Sequence, residues 1–257
     1  MRPARAPTGY ASRMEVPSWA LQRDFDVRLR WERRGALTAA DQGDALVVVD
    51  VLSFSTAVSY ALAAGARVRP CDWADDPAAV AADAGAEACV HREDVPAKGR
   101  FSLSPTHTRH ATAGDRIVLA SPNGATCCVA APRVPLLLVG GLVNAAAVAR
   151  AARDHGGRVT VLACGERWPD GTLRPCLEDY LGAGAILAGL EGSLSPEAET
   201  CVAAFHANRE RIAPLLWDAI GGRELRERGF EGDVKLASAY DTLDVVPVMS
   251  DGWLRAG

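Results

Sequence analysis

The chain of 257 residues carries a formal net charge of −4, with 49% hydrophobic and 23% charged residues. That balance is ordinary for a soluble globular protein and offers no basic footprint for nucleic acid. The longest apolar stretch, Val134 to Ala149, is broken by Gly140, Gly141 and Asn144 and is too short to span a bilayer, so neither nucleic acid nor membrane is expected as a partner.

Residues 1–23 are rich in Arg, Pro and Ser without periodicity and are expected to form a poorly ordered tail. They lack the apolar core of a signal peptide. Residues 24–257 are expected to form one α/β domain. The seven cysteines are odd in number and scattered without C-x-x-C spacing, as reduced thiols of a cytoplasmic protein would be.

From Phe25 to Trp31 apolar and polar residues alternate, the pattern of a half-buried strand. Ala45 to Asp50 is a continuous apolar run closed by a carboxylate, as in a strand covered on both faces. A helix is expected from Ser55 to Ala64, stopped by Gly65, then a short strand over Arg67–Cys71. Asp76-Pro77 caps a helix that ends at Gly85. Strands are expected over Glu87–His91, Asp115–Ala120, Leu136–Val139 and Arg158–Ala163, with helices over Asn123–Ala130, Asn144–Asp154 and Leu177–Leu190. Ser195-Pro196 opens another helix, with Glu197 and Glu199 in its first turn. This alternation argues for a sheet with helices on both faces. The link 92–106 is longer than the others, and long loops are often functional.

Three segments could carry chemistry. In Asp50-Val-Leu-Ser53-Phe-Ser55-Thr56, a carboxylate at the end of a buried strand stands where open α/β sheets bind ligands, and the Ser55 and Thr56 hydroxyls open a helix. The same residues can serve simply as caps of the strand–helix turn. Ser121-Pro-Asn123-Gly124 can expose backbone N–H groups to a ligand or form a plain turn. In Cys164-Gly165-Glu166 and the downstream pair Glu178-Asp179, hard oxygen ligands suit Mg²⁺, while acidic residues at a helix start also complement its dipole. His91, His107 and His110 make a zinc site conceivable, although scattered loop histidines are more often solvated or hydrogen-bonded. The G-x-G at Gly182–Gly184 lies inside a helical stretch rather than after a strand, which argues against a dinucleotide loop.

The order of the motifs is more specific than any one of them. VVVDVLSFSTAV, SPNGAT, GGLVNAAAVA, VLACGERWPDGTLRPCLEDYLGAGAI and GFEGDVKLASAYDTLDVVPVM, spread over residues 45 to 250, resemble the 2-phosphosulfolactate phosphatase family. The resemblance implies a three-layer α/β/α sandwich with a mostly parallel or mixed sheet. It implies Mg²⁺-dependent hydrolysis of 2-phospho-3-sulfolactate, a small phosphorylated acid. Carried onto this chain, it points to Asp50, Cys164 and Glu166 as catalytic, to Ser55, Thr56, Ser104, Asn123 and Gly124 as substrate-binding, and to Asp50, Glu178 and Asp179 as metal ligands.

The chain departs from the family at Ser53, where the family commonly has Arg. Its Gly-Asn-Ser-Pro-x-Glu segment reads Ser102-Leu103-Ser104-Pro105-Thr106-His107. Two expectations therefore stand side by side: a phosphatase, and a catalytically altered relative that binds an anionic metabolite. A homodimer is the base-rate expectation for assembly.

Overall fold

The computed structural model describes residues 16–257. Of the expected N-terminal tail, residues 1–15 lie outside the described residues. Residues 16–23 include a 3-10 turn, Ser18–Leu21, whose Ala20 and Leu21 carbonyls accept hydrogen bonds from Arg30 and Gln42.

Eleven strands are found among the described residues: β1 (Val27–Trp31), β2 (Ala45–Val49), β3 (Arg67–Cys71), β4 (Glu87–Ala88), β5 (Arg116–Ala120), β6 (Leu137–Gly140), β7 (Val159–Ala163), β8 (Glu166–Arg167), β9 (Leu173–Arg174), β10 (Pro247–Ser250) and β11 (Trp253–Ala256). Strands β8 and β9 form a small antiparallel hairpin. The other nine form one mixed sheet in the order β1-β7-β2-β6-β10-β11-β3-β5-β4. Within it β1, β7, β2 and β6 are mutually parallel, as are β3, β5 and β4. The antiparallel β10–β11 hairpin joins these two groups through one residue pair on each side, Val248 with Leu138 and Leu254 with Val68.

The helices are α1 (Glu32–Gln42), α2 (Phe54–Ala63), α3 (Pro77–Ala84), α4 (Pro105–Thr108), α5 (Gly124–Ala130), α6 (Ala145–His155), α7 (Leu177–Leu187), α8 (Pro196–Asn208), α9 (Ile212–Asp218), α10 (Ile220–Glu227) and α11 (Glu231–Ala237). Side chains of a strand alternate between faces, and β2 uses both. Ala45, Val47 and Val49 pack with apolar residues of α6, α7, α8 and α9, whereas Leu46 and Val48 pack with those of α1, α2 and α5. That is the layered α/β/α sandwich expected of a continuous apolar strand, with a mixed sheet.

Local chemistry explains most boundaries. Asp76 caps α3 by accepting the Ala78 N–H at 3.0 Å, and Gly85 ends the helix at φ 58°. Ser195 accepts the Ala198 N–H at 3.2 Å to start α8. The expected strand over Glu87–His91 shrinks to two residues: the Cys89 N–H still bonds the Val118 carbonyl of β5, but the Val90 N–H turns to the Phe101 carbonyl. Strand β1 is covered on both faces rather than half-buried: Arg28 is fully buried against Asp44. No helix among the described residues is long and apolar enough to cross a membrane.

Candidate functional site

The segments that follow β2, β5 and β7 converge on a cavity of about 820 Å³. Asp50 directly follows β2 and is 4% exposed. Its Oδ2 accepts the Gly124 N–H at 2.8 Å and the Ser121 hydroxyl at 3.2 Å, while Oδ1 has one long contact, 3.4 Å, from the Phe54 N–H. Asp50 therefore caps two helices, α2 and α5, and still lines the cavity. Burial raises its pKa to about 6. The Gly124 N–H opposes that rise, and the nearby Glu166 carboxylate adds to it.

Gly124 is fixed by close approach. A Cβ there would lie 2.8 Å from Asp50 Oδ2 and collide with the Phe54 ring. Gly124→Ala is therefore expected to destabilise the fold by about 1–3 kcal/mol, the usual cost of overpacking, as a lowered urea midpoint. An unchanged midpoint would show that Phe54 and Asp50 can move aside.

Asp179, in the first turn of α7, accepts the Val51 N–H at 2.7 Å on one oxygen and the Gly165 N–H at 2.8 Å on the other. It ties together the chain leaving β2 and the chain leaving β7. Burial, then the charges of Asp50 and Glu178, hold its pKa well above the ordinary carboxylate range. Glu178 is 3% exposed, and burial raises its pKa as well. Its carboxylate lies so close to Gly221 that a Cβ at that position would collide with Oε1. Glu166 Oε1 accepts the Asn123 amide at 2.9 Å and the Arg167 N–H at 2.8 Å, which links the loop after β5 to the β8–β9 hairpin.

The structure thus brings Asp50, Asn123, Glu166, Glu178 and Asp179 to one cavity. Other expected residues lie elsewhere. Cys164 was expected to be catalytic, but it does not line the cavity. Its N–H bonds the Val49 carbonyl at 2.9 Å, so it continues the β7 ladder and its side chain packs in the core on the same face as Leu162. Burial, followed by the adjacent Cys127, pushes its thiol pKa well up, away from a reactive thiolate.

The Ser55 and Thr56 hydroxyls are fully buried and serve the backbone of the β2–α2 turn, Ser55 with Asp50 N and Val48 O, Thr56 with Val51 O. Ser104 is buried and donates to Asp233 Oδ1 at 2.5 Å. Gly124 acts through its N–H on Asp50 rather than by lining the cavity. The three histidines do not converge: His107 bonds the Ser102 hydroxyl at 2.8 Å and His110 bonds Arg109. Among the described residues no three His, Cys, Asp or Glu side chains are arranged as a ready metal cage.

Three arginines that the sequence did not single out also line the cavity: Arg92, Arg174 and Arg228. Arg92 comes from the long link after β4. It donates from Nε to Asp233 Oδ2 at 3.1 Å, and from Nη2 to the Ser53 hydroxyl at 2.8 Å and the Leu103 carbonyl at 2.6 Å. A guanidinium thus sits on Ser53. Arg174 donates to Glu224 at 3.2 Å and stands over the Trp168 ring.

A family model described as 2-phosphosulpholactate phosphatase matches residues 34–252. The chain belongs to the 2-phosphosulfolactate phosphatase family. It is 32% identical over 215 residues to a protein of Gloeobacter violaceus named "Probable 2-phosphosulfolactate phosphatase", covering 79% of this chain and 87% of that one. A Synechococcus sp. (strain RCC307) protein of the same name is 31% identical over 242 residues, covering 84% and 94%. The Methanothermobacter thermautotrophicus protein named "2-phosphosulfolactate phosphatase" is 32% identical over 139 residues, covering 54% and 58%. The family match spans the whole cavity lining, from Asp50 to Arg228. It therefore bears on the site as well as on the scaffold.

Proposed function

We propose that this chain is a Mg²⁺-dependent phosphatase that hydrolyses 2-phospho-3-sulfolactate to 3-sulfolactate and inorganic phosphate. Family membership and the names of the relatives support the reaction class. The observation that carries the reading is the crowding of carboxylates at the cavity, where burial and one another's charge, with that of Glu166, raise the pKa values of Asp50, Glu178 and Asp179. So much like charge in one buried place suits a hard divalent cation. Mg²⁺ commonly takes one or two carboxylates, retained waters and substrate phosphate rather than a full protein cage.

Asp50 and Glu178 are the ligands of choice. Both oxygens of Asp179 already hold backbone N–H groups, so it braces the two loops. The metal, when bound, would polarise the phosphoryl oxygens. Asp50 Oδ1, which makes only the long contact to Phe54, is the oxygen left for the reacting centre. In the overall reaction a water oxygen bonds to phosphorus, the ester P–O bond breaks and the departing alkoxide takes a proton. Asn123 keeps Glu166 in place beside Asp50. All seven cysteines are free, which supports a reducing, cytoplasmic setting.

Phosphate release from 2-phospho-3-sulfolactate, followed with Mg²⁺ and with EDTA, tests the proposal. Release that stops in EDTA and returns with Mg²⁺ is expected. Release unaffected by EDTA would remove the metal from the mechanism. Ligand-induced thermal stabilisation without any release would favour the alternative, a relative that only binds the acid.

A further inference from the structure

The acidic residues explain where a phosphoryl group reacts, but not why arginines held by their own carboxylates share the same cavity. Arg92 is held by Asp233, itself fixed by the Ser104 and Thr106 hydroxyls. Arg228 donates from Nη2 to Glu93 at 2.8 Å, and this bond pulls the Glu93 pKa down. The Arg92 and Arg228 guanidiniums both lie over the Phe230 ring, each 5.6 Å from its centroid. One aromatic ring and two carboxylates thus orient both side chains, while Nη1 of Arg92 and both Nε and Nη1 of Arg228 remain outside these bonds. Of the three cavity residues, Asp50 is 4% exposed, the Arg92 side chain 12% and the Arg228 side chain 45%.

Asp50, Arg92 and Arg228 line one cavity, so a phosphate ester seated with its phosphorus at Asp50 would share it with both guanidiniums. Guanidinium groups with fixed N–H directions match the oxygens of a carboxylate or sulfonate. We infer that Arg92 and Arg228, braced on Phe230, bind the carboxylate that the substrate carries beside its phosphate ester and make the enzyme selective for phosphorylated hydroxy acids over simple phosphate esters. This rests on the phosphatase reading and adds the residues that set its selectivity.

Isopropyl phosphate and 2-phospholactate test it, because they differ only by a methyl group against a carboxylate. The wild-type protein is expected to favour 2-phospholactate in kcat/KM. Arg228→Gln, on an exposed side chain, should cut that preference about tenfold or more. Arg92→Lys, which keeps the charge but loses the fork of donors, should cut it too. An unchanged preference in Arg228→Gln would overturn the inference. So would an equal fall on both esters, which would mean that the arginines hold the phosphoryl group. Should Arg92→Lys fail to fold, Arg228→Gln decides alone.

Should the wild-type protein release phosphate from neither ester, release from 2-phospho-3-sulfolactate decides the phosphatase reading separately. Calorimetry with 3-sulfolactate then tests the arginines directly. Weaker binding to Arg228→Gln than to the wild-type protein supports the clamp, and equal affinity excludes it.

Discussion

Asp50→Asn is expected to abolish phosphate release while making the metal-free protein more stable. The two effects share one cause. The fold holds a carboxylate almost out of water, beside Glu166 and close enough to Asp179 to raise that group's pKa. An asparagine keeps the shape, and its carbonyl oxygen can still accept the Gly124 N–H, but the charge is gone. Loss of charge at the reacting centre is expected to lower kcat by at least about a hundredfold. Near-wild-type turnover in this variant would remove Asp50 from the chemistry.

The stability gain follows from linkage. The folded pKa of Asp50, about 6, lies above the ordinary value of 3.8. Between those values the folded state binds more protons than the unfolded state, so stability falls as pH rises through that window. Above it the ionised group destabilises the fold by an amount on the order of 3 kcal/mol. Asp50→Asn removes this loss, and also lowers the repulsion that raises Asp179. Urea titrations in EDTA at pH 4.5 and pH 8 should show the variant gaining on the wild-type protein at the higher pH. A wild-type midpoint independent of pH over that range would contradict the assignment. With Mg²⁺ on Asp50 the ionised form is favoured, so the acid limb in kcat/KM is expected below the metal-free value of about 6.

Much of this architecture could be read from local signals. Strand β3 lies where the sequence indicates it, and α3 does too, because the Asp76-Pro77 start and the Gly85 stop are written in adjacent residues. Helix α1 was not legible. The face that it buries is Gly35, Ala36, Thr38 and Ala39, too small and too polar to mark an amphipathic period. Nor can periodicity give strand partners, so nothing local announces that β10 and β11 insert between β6 and β3.

The site divides in the same way. Asp50 was visible because a continuous apolar strand ends on it, and Glu178 and Asp179 because they open a helix. Arg92 was hidden, since its bond to Asp233 spans 141 positions and its bond to Ser53 spans 39. Cys164 lies beside a loop that lines the cavity but still obeys the strand's alternation, which turns its side chain into the core.

The largest expected loss of stability lies away from the cavity, at Asp44→Ala. Arg28 on β1 and Asp44 just before β2 are both fully buried. Arg28 Nη1 lies 3.0 and 2.7 Å from the two Asp44 oxygens, and Thr160 on β7 donates to Asp44 at 2.7 Å. The pair and its hydroxyl thus cross-link β1, β2 and β7 at the edge of the sheet. Removing the carboxylate leaves Arg28 its bonds to Gln42 and to the Phe25 carbonyl, but takes away its bonded counter-charge. Breaking one side of a buried ion pair typically costs about 3–5 kcal/mol, a large part of the roughly 5–15 kcal/mol that holds a domain folded. Replacing both partners, Arg28→Met with Asp44→Ala, should recover most of that loss, because no uncompensated charge then remains. Urea denaturation of the two single variants and the double variant closes the cycle. A single-variant loss below about 1 kcal/mol, the range of exposed pairs, would mean that water reaches Arg28 and that β1 is not sealed as its burial indicates.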